Sequence, residues 1–359
     1  MKVAILNDSH FGLKNSADVF IDYTERFFRD IFFPHCVAHD IRHIIHLGDF
    51  YDHRKYVNFK ILARVRAMFF EPMIAAGMEM TIIPGNHDVY FRNTNSLCGL
   101  QEVLGGYTDA VSVCTRPQVR SIGGVPIGFL PWVTGDNHGE SIEFIEKCPA
   151  SILMAHLELK GFEMMKGMPV AAHGMDADMF KRFEMVLSGH YHTKSTRGNI
   201  HYLGTQYEQT WSDADDPKFF HVLDLRSREL THVRNPLTMF NRFVYNDSIY
   251  PSPGDVIGAT DFTRAANSCV KVVVAKKTDP FIFDKYVTLL QAAGPFDLKI
   301  AESFEEFAGA SISDELVSTE DTGKLLSTYI EAIETDLDRE RLKTLIQELY
   351  AEAQSGDIV

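Results

Sequence analysis

Cysteine is scarce and scattered in this sequence, and its distribution excludes two common kinds of stabilised small domain. The 359 residues include five cysteines, and no two of them form a C-x-x-C pair. An odd number at such distant positions predicts neither a zinc–thiolate site nor a disulfide framework. We therefore expect reduced thiols that pack as small apolar side chains in the core.

Long apolar runs and a nucleotide-binding loop are also missing. No apolar stretch approaches the ~18–20 residues that a membrane-spanning helix needs. The apolar start of the chain reaches polar Asn7 and Asp8 too early to be a secretory leader, so we expect a cytoplasmic protein. The sequence contains no G-x-x-x-x-G-K-[ST] loop, and any ATP-driven work would require a partner.

The charge is strongly negative but unevenly distributed. The net charge is -14, and the residues from Glu302 onward hold 15 acidic and only four basic side chains. The rest of the chain is therefore close to neutral, and bound cations would make a cleft in it more positive. Hydrophobic residues make up 45% of the sequence, which is enough for a sizeable core in two or three domains.

Strand and helix patterns alternate at the start of the chain. Residues 1–6, 42–47 and 80–83 are short β-rich apolar runs, while residues 19–38 and 58–76 have helical apolar spacing. Pro34 is expected to kink or end the first helix. This alternation predicts an α/β core with parallel strand pairing.

Beyond residue 111 the pattern contains more β-strands, and we predict three domains. Gly123-Gly124 between two apolar runs indicates a hairpin turn. We place the first domain at residues 1–235 and a small α/β module at residues 236–302. Residues 303–359 form an acidic linker followed by two amphipathic helices.

Polar clusters follow the predicted strands and supply candidate ligands. Strand carboxyl ends are where open α/β sheets bind ligands, so five distant segments deliver their side chains to one edge. Residues i and i+2 of an extended segment point the same way, and glycine permits the sharp turns that precede three of the clusters. The segments are Asp8-Ser9-His10, Gly48-Asp49-Phe50-Tyr51-Asp52, Gly85-Asn86-His87-Asp88, His156 and Gly189-His190-Tyr191-His192.

Carboxylate, amide and imidazole donors without a thiolate suit Mn²⁺, Fe²⁺ or Zn²⁺ better than Mg²⁺ or Ca²⁺. A shared carboxylate can hold two ions ~3.5–4 Å apart, the arrangement that clamps the attacking and leaving oxygens in phosphoryl hydrolysis. Each motif alone has an ordinary interpretation, such as a helix cap or a turn. Their combination and order at successive strand ends favour a metal site.

The ordered motifs resemble those of the calcineurin-like metallophosphoesterases, and within them the SbcD family of nucleases. The match to that family is sharpened by Asp8-Ser9-His10-Phe11-Gly12, Phe129-Leu130-Pro131-Trp132 and Ser188-Gly189-His190-Tyr191-His192-Thr193. A further resemblance, to the recombination nuclease subunits of T-even-like phages, rests on the two predicted C-terminal helices and on His156-Leu157-Glu158-Leu159-Lys160-Gly161-Phe162. These phage subunits are counterparts of the nucleases in Mre-Rad complexes. The resemblance implies a two-sheet β sandwich flanked by helices, with a small α/β capping domain that binds DNA and a C-terminal helical hairpin.

The resemblance also implies a role for each motif residue. Two divalent ions, most consistent with Mn²⁺, would share Asp49. His87 would bind no metal but would stabilise the transition state and help to protonate the leaving 3′ oxygen. Asp52 stands where some members carry a second active-site histidine, so neither it nor His53 is assigned a role. The ligands would be Asp8, His10, Asp49 and His192 for the first ion, and Asp49, Asn86, His156 and His190 for the second.

The implied activity is a 3′–5′ exonuclease on double-stranded DNA and an endonuclease on single-stranded or hairpin DNA. Such a subunit would serve recombination, repair and replication in the cytoplasm, which for a phage-encoded chain is that of the host. Candidate contacts to the phosphate backbone are basic residues beside two of the motifs, although an ordinary solvated face is the alternative. These are Arg54, Lys55, Lys60, Arg64, Lys194 and Arg197.

Apolar stripes on the predicted helices suggest two protein partners. The resemblance implies a homodimer through the stripe Ile61, Leu62, Val65, Met68 and Phe69 and through Leu97, Leu100 and Leu104, with packing in the subunit's own core as the alternative. It also implies that the C-terminal hairpin binds the coiled coil of an SMC-like SbcC/Rad-type ATPase, with docking on its own domain as the alternative. The hairpin residues are Leu326, Tyr329, Ile330, Leu342, Leu345, Ile346 and Leu349.

Two other functions remain open at this point. A phosphoprotein phosphatase or cyclic-nucleotide phosphodiesterase would use the same chemistry, but the phosphatases typically carry G-N-H-E and an arginine after the second aspartate. Asp88 and His53 occupy those positions here. A non-catalytic, metal-stabilised scaffold for an ATPase would have no need of an unliganded histidine at His87.

Overall fold

The computed structural model describes residues 1–163 and 174–302, together with Arg341 and Leu345. It divides into two compact units, Met1–Thr238 and Met239–Val359. The strands are β1 Lys2–Leu6, β2 His43–His46, β3 Glu79–Ile82, β4 Val111–Val113, β5 Gln118–Ile122, β6 Val125–Leu130, β7 Ile152–His156, β8 Met185–Gly189, β9 Ser195–Arg197, β10 Ile200–Tyr202, β11 Phe219–Asp224, β12 Leu230–Arg234, β13 Phe240–Asn246, β14 Cys269–Lys276 and β15 Asp297–Glu302.

Two six-stranded sheets form the first unit. Their orders are β12-β11-β1-β2-β3-β4 and β5-β6-β7-β8-β10-β9. The run from β1 to β4 is parallel, as is the run β6-β7-β8-β10. Parallel neighbours end at the same edge of a sheet, so β1, β2 and β3 present their following loops together, and β6, β7 and β8 do the same.

The two sheets enclose a shared apolar core. Val3, Ile5 and Ile45 from the first sheet pack in one cluster with Phe129 and Met154 from the second. This packing confirms the predicted calcineurin-like α/β fold with two sheets. The predicted hairpin is also confirmed, because Gly123 and Gly124 both have positive φ and join β5 to β6, as a tight turn between twisted strands requires.

The α-helices are short, and two proline-containing ones pass through a π-turn. Pro34 does not end its helix: the π-turn Phe28–Phe32 precedes Phe33–Ala38, and Arg66–Phe70 likewise precedes the helix of Pro72. Such a turn accommodates the backbone donor that proline lacks.

The α-helices are Leu13–Ser16, Asp18–Phe27, Phe33–Ala38, Phe59–Val65, Glu71–Ala75, Gly99–Leu104, His138–Lys147, Asp255–Ala259 and Pro280–Ala292. Short 3-10 turns are Gly105–Tyr107, Ala177–Phe180, Trp211–Asp213, Asp247–Ile249 and Phe262–Ala265.

The apolar stripe proposed for a dimer contact packs inside the subunit instead. Ile61, Val65, Met68 and Phe69 are almost fully buried, and so are Leu100 and Leu104 of the second stripe. Phe69 contacts the rings of Phe11, Phe28, Phe33 and Phe50. The core-packing alternative is therefore confirmed for these six side chains. Leu62 is half-buried and Leu97 is exposed, so these two members of the stripes remain accessible to a partner.

The second unit begins with a strand that the sequence pattern did not reveal. β13 lies in an Asn-rich stretch just after the predicted domain boundary, and it pairs in parallel with β14. β15 completes a three-stranded parallel sheet, and Val272 and Tyr286 belong to its apolar core. The helix Pro280–Ala292, which carries Tyr286, connects β14 to β15 in the chain.

The C-terminal hairpin lies largely outside the described residues. Of its seven candidate partner-binding side chains, only Leu345 is described, and it is helical and exposed. In the described part of the chain, no helix is both long and apolar enough to cross a membrane. The five cysteines form no disulfide, and all but Cys269 are buried, as the sequence predicted.

Candidate metal centre

Five strands deliver the predicted ligands to one place in the first unit. β1, β2 and β3 are neighbours in one sheet, and β7 and β8 are neighbours in the other. Their carboxyl ends carry the loops or terminal residues that hold the motifs. The structure brings all seven together: Asp8, His10, Asp49, Asn86, His156, His190 and His192.

The first group comprises Asp8, His10 and His192. One ligand atom from each lies within 4.8 Å of the others. Asp49 is adjacent, because its Oδ2 lies 3.7 Å from His10 Nε2. These are the four residues expected around the first ion.

The second group comprises Asp49, His156 and His190, again with ligand atoms within 4.8 Å of one another. His156 Nε2 lies 3.4 Å from Asp49 Oδ2 and 3.0 Å from Asn86 Oδ1. The opposite ring nitrogen of His156 donates to the carbonyl of Leu47 at 2.7 Å, which directs Nε2 toward Asp49 as in many metal-bound histidines. Asp49 Oδ2 therefore belongs to the second group and lies within 4 Å of His10 in the first.

The donor set and its unmet hydrogen bonds fit a pair of divalent cations. His10 Nε2 and His192 Nδ1 are buried without a hydrogen-bond partner in the described part of the chain. An orphaned buried nitrogen is costly unless something else satisfies it. Imidazole, carboxylate and amide oxygen are suitable ligands for Mn²⁺, Fe²⁺ or Zn²⁺.

His87 stands beside both groups with its orientation fixed. Its backbone N–H donates to Asp49 Oδ1 at 2.8 Å, and its ring Nδ1 donates to the carbonyl of Asp52 at 2.7 Å. The ring meets that of His10 edge-on, with centroids 4.8 Å apart. A ring nitrogen of His87 lies within 4.8 Å of ligand atoms of His10 and Asp49, so the ring is close enough to meet a bound ion or a substrate.

Several candidate ligands occupy strained backbone conformations. Asp8, His10, Asp49 and His190 have φ values of 47°, 43°, 53° and 86°. A side chain at positive φ costs roughly 1–3 kcal/mol, and such residues persist where the surrounding structure fixes them, often at functional sites. The fold therefore supports a geometry here that isolated loops would not adopt.

Two glycines permit the close approach of the ligand loops. A Cβ on Gly85 would collide with Asp49 Oδ1 and come within 2.7 Å of the His156 ring. A Cβ on Gly48 would lie 2.7 Å from His156 Nδ1 and would also face an unfavourable φ of 93°. The spacing of the two groups therefore depends on glycine at these positions.

The buried charges strongly perturb one another before any cation binds. Burial lowers the pKa of His10, but Asp52, Asp49 and Asp8 outweigh it and raise that pKa to about 9. Burial likewise lowers the pKa of His156, but Asp49 and Asp8 raise it to about 9. Burial raises the pKa of Asp8 to about 6. Near neutral pH, His10 and His156 therefore carry protons at positions where cations would bind.

Asp88 ties two ligand loops together, a role that sequence reasoning did not assign. Its carboxylate accepts hydrogen bonds from the backbone N–H groups of Gly85 and Phe50 at 2.9 and 3.0 Å. The loop after β2 is thereby joined to the loop after β3. The signal was present in Gly85-Asn86-His87-Asp88, where a fourth polar residue follows the candidate ligands.

A buried lysine supports the loop of His192. Lys218 donates to Asp213 at 2.6 Å, to Asp216 at 2.9 Å and to the carbonyl of His192 at 3.1 Å. Burial lowers the pKa of Lys218, but the two aspartates outweigh it and raise that pKa. Gln209 supports the first motif in a similar way, by donating to the carbonyl of Asp8 at 2.5 Å. No sequence motif marked these residues.

The candidate DNA contacts do not form one common group. Lys60 is ion-paired with Asp18, and Arg64 with Asp22 and Glu25, so their charges are balanced within the chain. Lys55, Lys194 and Arg197 are exposed, and Arg54 is half-buried. The Lys194 ammonium lies 5.6 Å from the centroid of the Phe219 ring.

The sequence matches a family of known proteins, and the match includes the ligand groups described above. Residues 1–194 match the family described as calcineurin-like phosphoesterase, a span that contains every candidate metal ligand. The chain belongs to the calcineurin-like phosphoesterases. A member of this family is a metal-dependent hydrolase of phosphate esters, which the two adjoining ligand groups suit.

Among known proteins, the chain is similar to exonuclease subunit 1 of Enterobacteria phage T4. The two are 29% identical over 362 residues, which cover 98% of this chain and 99% of the phage protein. Solved structures that resemble it include an archaeal phosphodiesterase (15% identity, 66% of this chain and 100% of that one, TM-score 0.34) and a dimetal phosphatase from Danio rerio (11%, 66% and 97%, TM-score 0.38). Likenesses of this strength add nothing to the family assignment.

We predict that Mn²⁺ affinity rises with pH up to about 9. Below that value His10 and His156 hold protons, and each bound ion must displace one, so affinity falls about tenfold for each pH unit below 9. Calorimetric titration in buffers of different ionisation enthalpy measures both the affinity and the protons released. An affinity that is constant between pH 7 and pH 9 would contradict this coupling.

We also predict that Lys218→Met destabilises the protein by about 3–5 kcal/mol, because buried Asp213 and half-buried Asp216 lose their counter-charge. Denaturant unfolding measures the change. The double variant Lys218→Met, Asp213→Asn should regain part of the loss, since it removes one uncompensated charge. A double variant less stable than the single one would show that the network does not depend on charge balance.

Proposed function

We propose that this protein is a two-metal DNA nuclease subunit that hydrolyses phosphodiester bonds. The observation that carries the proposal is the position of Asp49, whose Oδ2 lies 3.7 Å from His10 of the first group and 3.4 Å from His156 of the second. The near full-length similarity to a protein named as an exonuclease subunit supports DNA as the substrate. Hydrolysis of phosphate esters is the chemistry of the family to which the chain belongs.

Each ligand group would hold one ion. The first ion would be bound by Asp8, His10, Asp49 and His192, and the second by Asp49, Asn86, His156 and His190. When bound, the two ions supply Lewis acidity and an activated water for attack on phosphorus. The chain's own contribution is the fixed spacing of the ligands, which the strained loops and Gly48 and Gly85 maintain.

His87 is proposed to act on the substrate rather than on a metal. Its Nδ1 donates to the Asp52 carbonyl, so Nε2 can carry a proton only in the charged imidazolium. Burial lowers the pKa of His87 in the free protein. An anionic phosphate beside the ring would favour its protonation, and Nε2 would then donate to the leaving 3′ oxygen.

Finer features of the proposal rest on the family resemblance. They are Mn²⁺ as the preferred ion, 3′–5′ exonuclease action on duplex ends, endonuclease action on single-stranded or hairpin DNA, and homodimerisation. An SMC-like ATPase bound by the C-terminal hairpin would supply ATP-dependent control. Arg54, Lys55, Lys194 and Arg197 stay candidate phosphate contacts, and Lys60 and Arg64 are ion-paired with acidic side chains of the chain itself.

The alternative functions receive less support from the site. A phosphoprotein phosphatase typically uses an arginine after the second aspartate, where this chain has His53. A scaffold without activity would not need His87, which two hydrogen bonds orient beside the shared carboxylate. The nuclease is therefore the function that the geometry supports best.

We predict that His87→Ala lowers the rate of DNA hydrolysis by about 10²–10⁴, the usual effect of losing a general acid. Release of nucleotides from end-labelled duplex DNA with Mn²⁺ measures the rate. Exposed His138 provides a matched control, and His138→Ala should retain wild-type activity. Elemental analysis should find two ions in both variants; a His87→Ala protein that holds fewer ions would make His87 a ligand instead.

A further inference from the structure

A half-buried tryptophan stands at the same sheet edge as the metal ligands. β6 is the parallel neighbour of β7, and Trp132 follows the end of β6 just as His156 ends β7. The centroid of the Trp132 ring lies 5.0 Å from that of His190 and 5.8 Å from that of His156. The indole is therefore next to two candidate ligands of the second ion, and part of it remains accessible to solvent.

The backbone of Trp132 is fixed from three directions. Its N–H donates to the carbonyl of Pro84, directly before the Gly85-Asn86 turn, at 3.0 Å. Its carbonyl accepts from the side-chain amides of Asn95 at 2.8 Å and Asn137 at 3.0 Å. An aromatic side chain on so constrained a segment loses little further entropy when a ligand covers it.

Neither metal binding nor hydrolysis requires an aromatic residue at this point. Trp132 is neither charged nor a metal ligand, and an apolar wall against the two histidines could be built from an aliphatic side chain. A partly exposed indole does offer a flat surface that stacks with any nucleobase. A base attached to the sugar beside the scissile phosphate lies close to the metal ligands, which places it within reach of this ring.

We propose that Trp132 stacks with the nucleobase next to the scissile phosphate, on the side of the second ion. This inference rests on the proposed nuclease function and specifies its substrate. A base can meet the indole only when it has left its own stack, so the site accepts single-stranded DNA or a frayed duplex end. Every base has a π-face, and recognition by stacking is therefore tolerant of sequence.

Fluorescence provides a direct test, because the chain has only two tryptophans, Trp132 and Trp211. In a His87→Ala background that prevents cleavage, Trp211→Phe leaves Trp132 as the reporter and Trp132→Phe leaves Trp211. Titration with a thymidine decamer in Mg²⁺ should quench Trp132 and leave Trp211 unchanged. A decamer of abasic tetrahydrofuran units should quench neither. Equal responses of the two tryptophans, or quenching by the abasic strand, would overturn the proposal.

Kinetics distinguish stacking from a structural role. Trp132→Ala should raise KM for the thymidine decamer about 5- to 150-fold, the effect of losing one aromatic–base stack. It should leave KM for the abasic decamer unchanged, whereas Trp132→Phe should retain most of the affinity for the base. If Trp132→Ala raised KM equally for the thymidine and the abasic decamer, Trp132 would only line the metal site, and the stacking role would be refuted.

The two proposals fail in different ways. If the wild-type protein cleaves neither duplex DNA nor the decamers yet hydrolyses bis(p-nitrophenyl) phosphate, the nuclease function is wrong and this inference is overturned with it. If it cleaves duplex DNA but neither decamer, the nuclease function stands and only this inference is wrong. If it cleaves both decamers and Trp132→Ala behaves as wild type on each, only the stacking role is wrong. Metal content and thermal melting of Trp132→Ala and Trp132→Phe confirm that any difference arises in a folded, metal-loaded site.

Discussion

The carboxylate of Asp49 is the constraint on which the site depends. It is almost fully buried, yet it faces the rings of His10 and His156 and accepts the backbone N–H of His87. Burial alone would raise the pKa of Asp49, but His156, His87 and His10 hold it well below its usual range. A buried anion in such a position requires compensating positive charge. Protonated histidines supply it in the free protein, and divalent cations would supply it in the loaded enzyme.

The rest of the first unit maintains this concentration of charge. Parallel strands bring their carboxyl ends to one edge, and the glycines allow the loops after β2 and β3 to approach each other. Asp88 fastens these two loops, while Lys218 and Gln209 hold the loops of His192 and Asp8. The cost of the strained ligand backbones is met by the packing of two sheets around a common core.

The ligand positions could be predicted from sequence because their signals are local. A β-rich run followed by glycine and a metal-binding residue identifies a strand end, and strand ends of a parallel sheet converge whatever the intervening loops contain. Asp49, Asn86 and His190 are the candidate ligands that follow such a glycine. The two-sheet fold was likewise predicted, since the motifs recur in a family of known architecture.

Other features depend on long-range contacts, which no local pattern encodes. Lys218 contacts the His192 loop although 26 residues separate the two in the sequence. The Asn-rich stretch of β13 is a strand because it pairs with β14. An apolar stripe on a helix indicates that this face is buried, but it does not indicate what buries it. The stripe around Phe69 was therefore compatible with a dimer interface and with packing in the subunit's own core. Trp132 belonged to a motif that marked the family, and its place beside the second group of ligands became visible only in three dimensions.

Electron paramagnetic resonance of the Mn²⁺-loaded protein tests most directly whether Asp49 bridges two ions. With two equivalents of Mn²⁺, a shared carboxylate predicts an exchange-coupled pair, whose hyperfine lines are about half as widely spaced as those of an isolated ion. Two uncoupled six-line signals, or saturation at one equivalent, would contradict the bridged centre and the phosphodiester chemistry built on it.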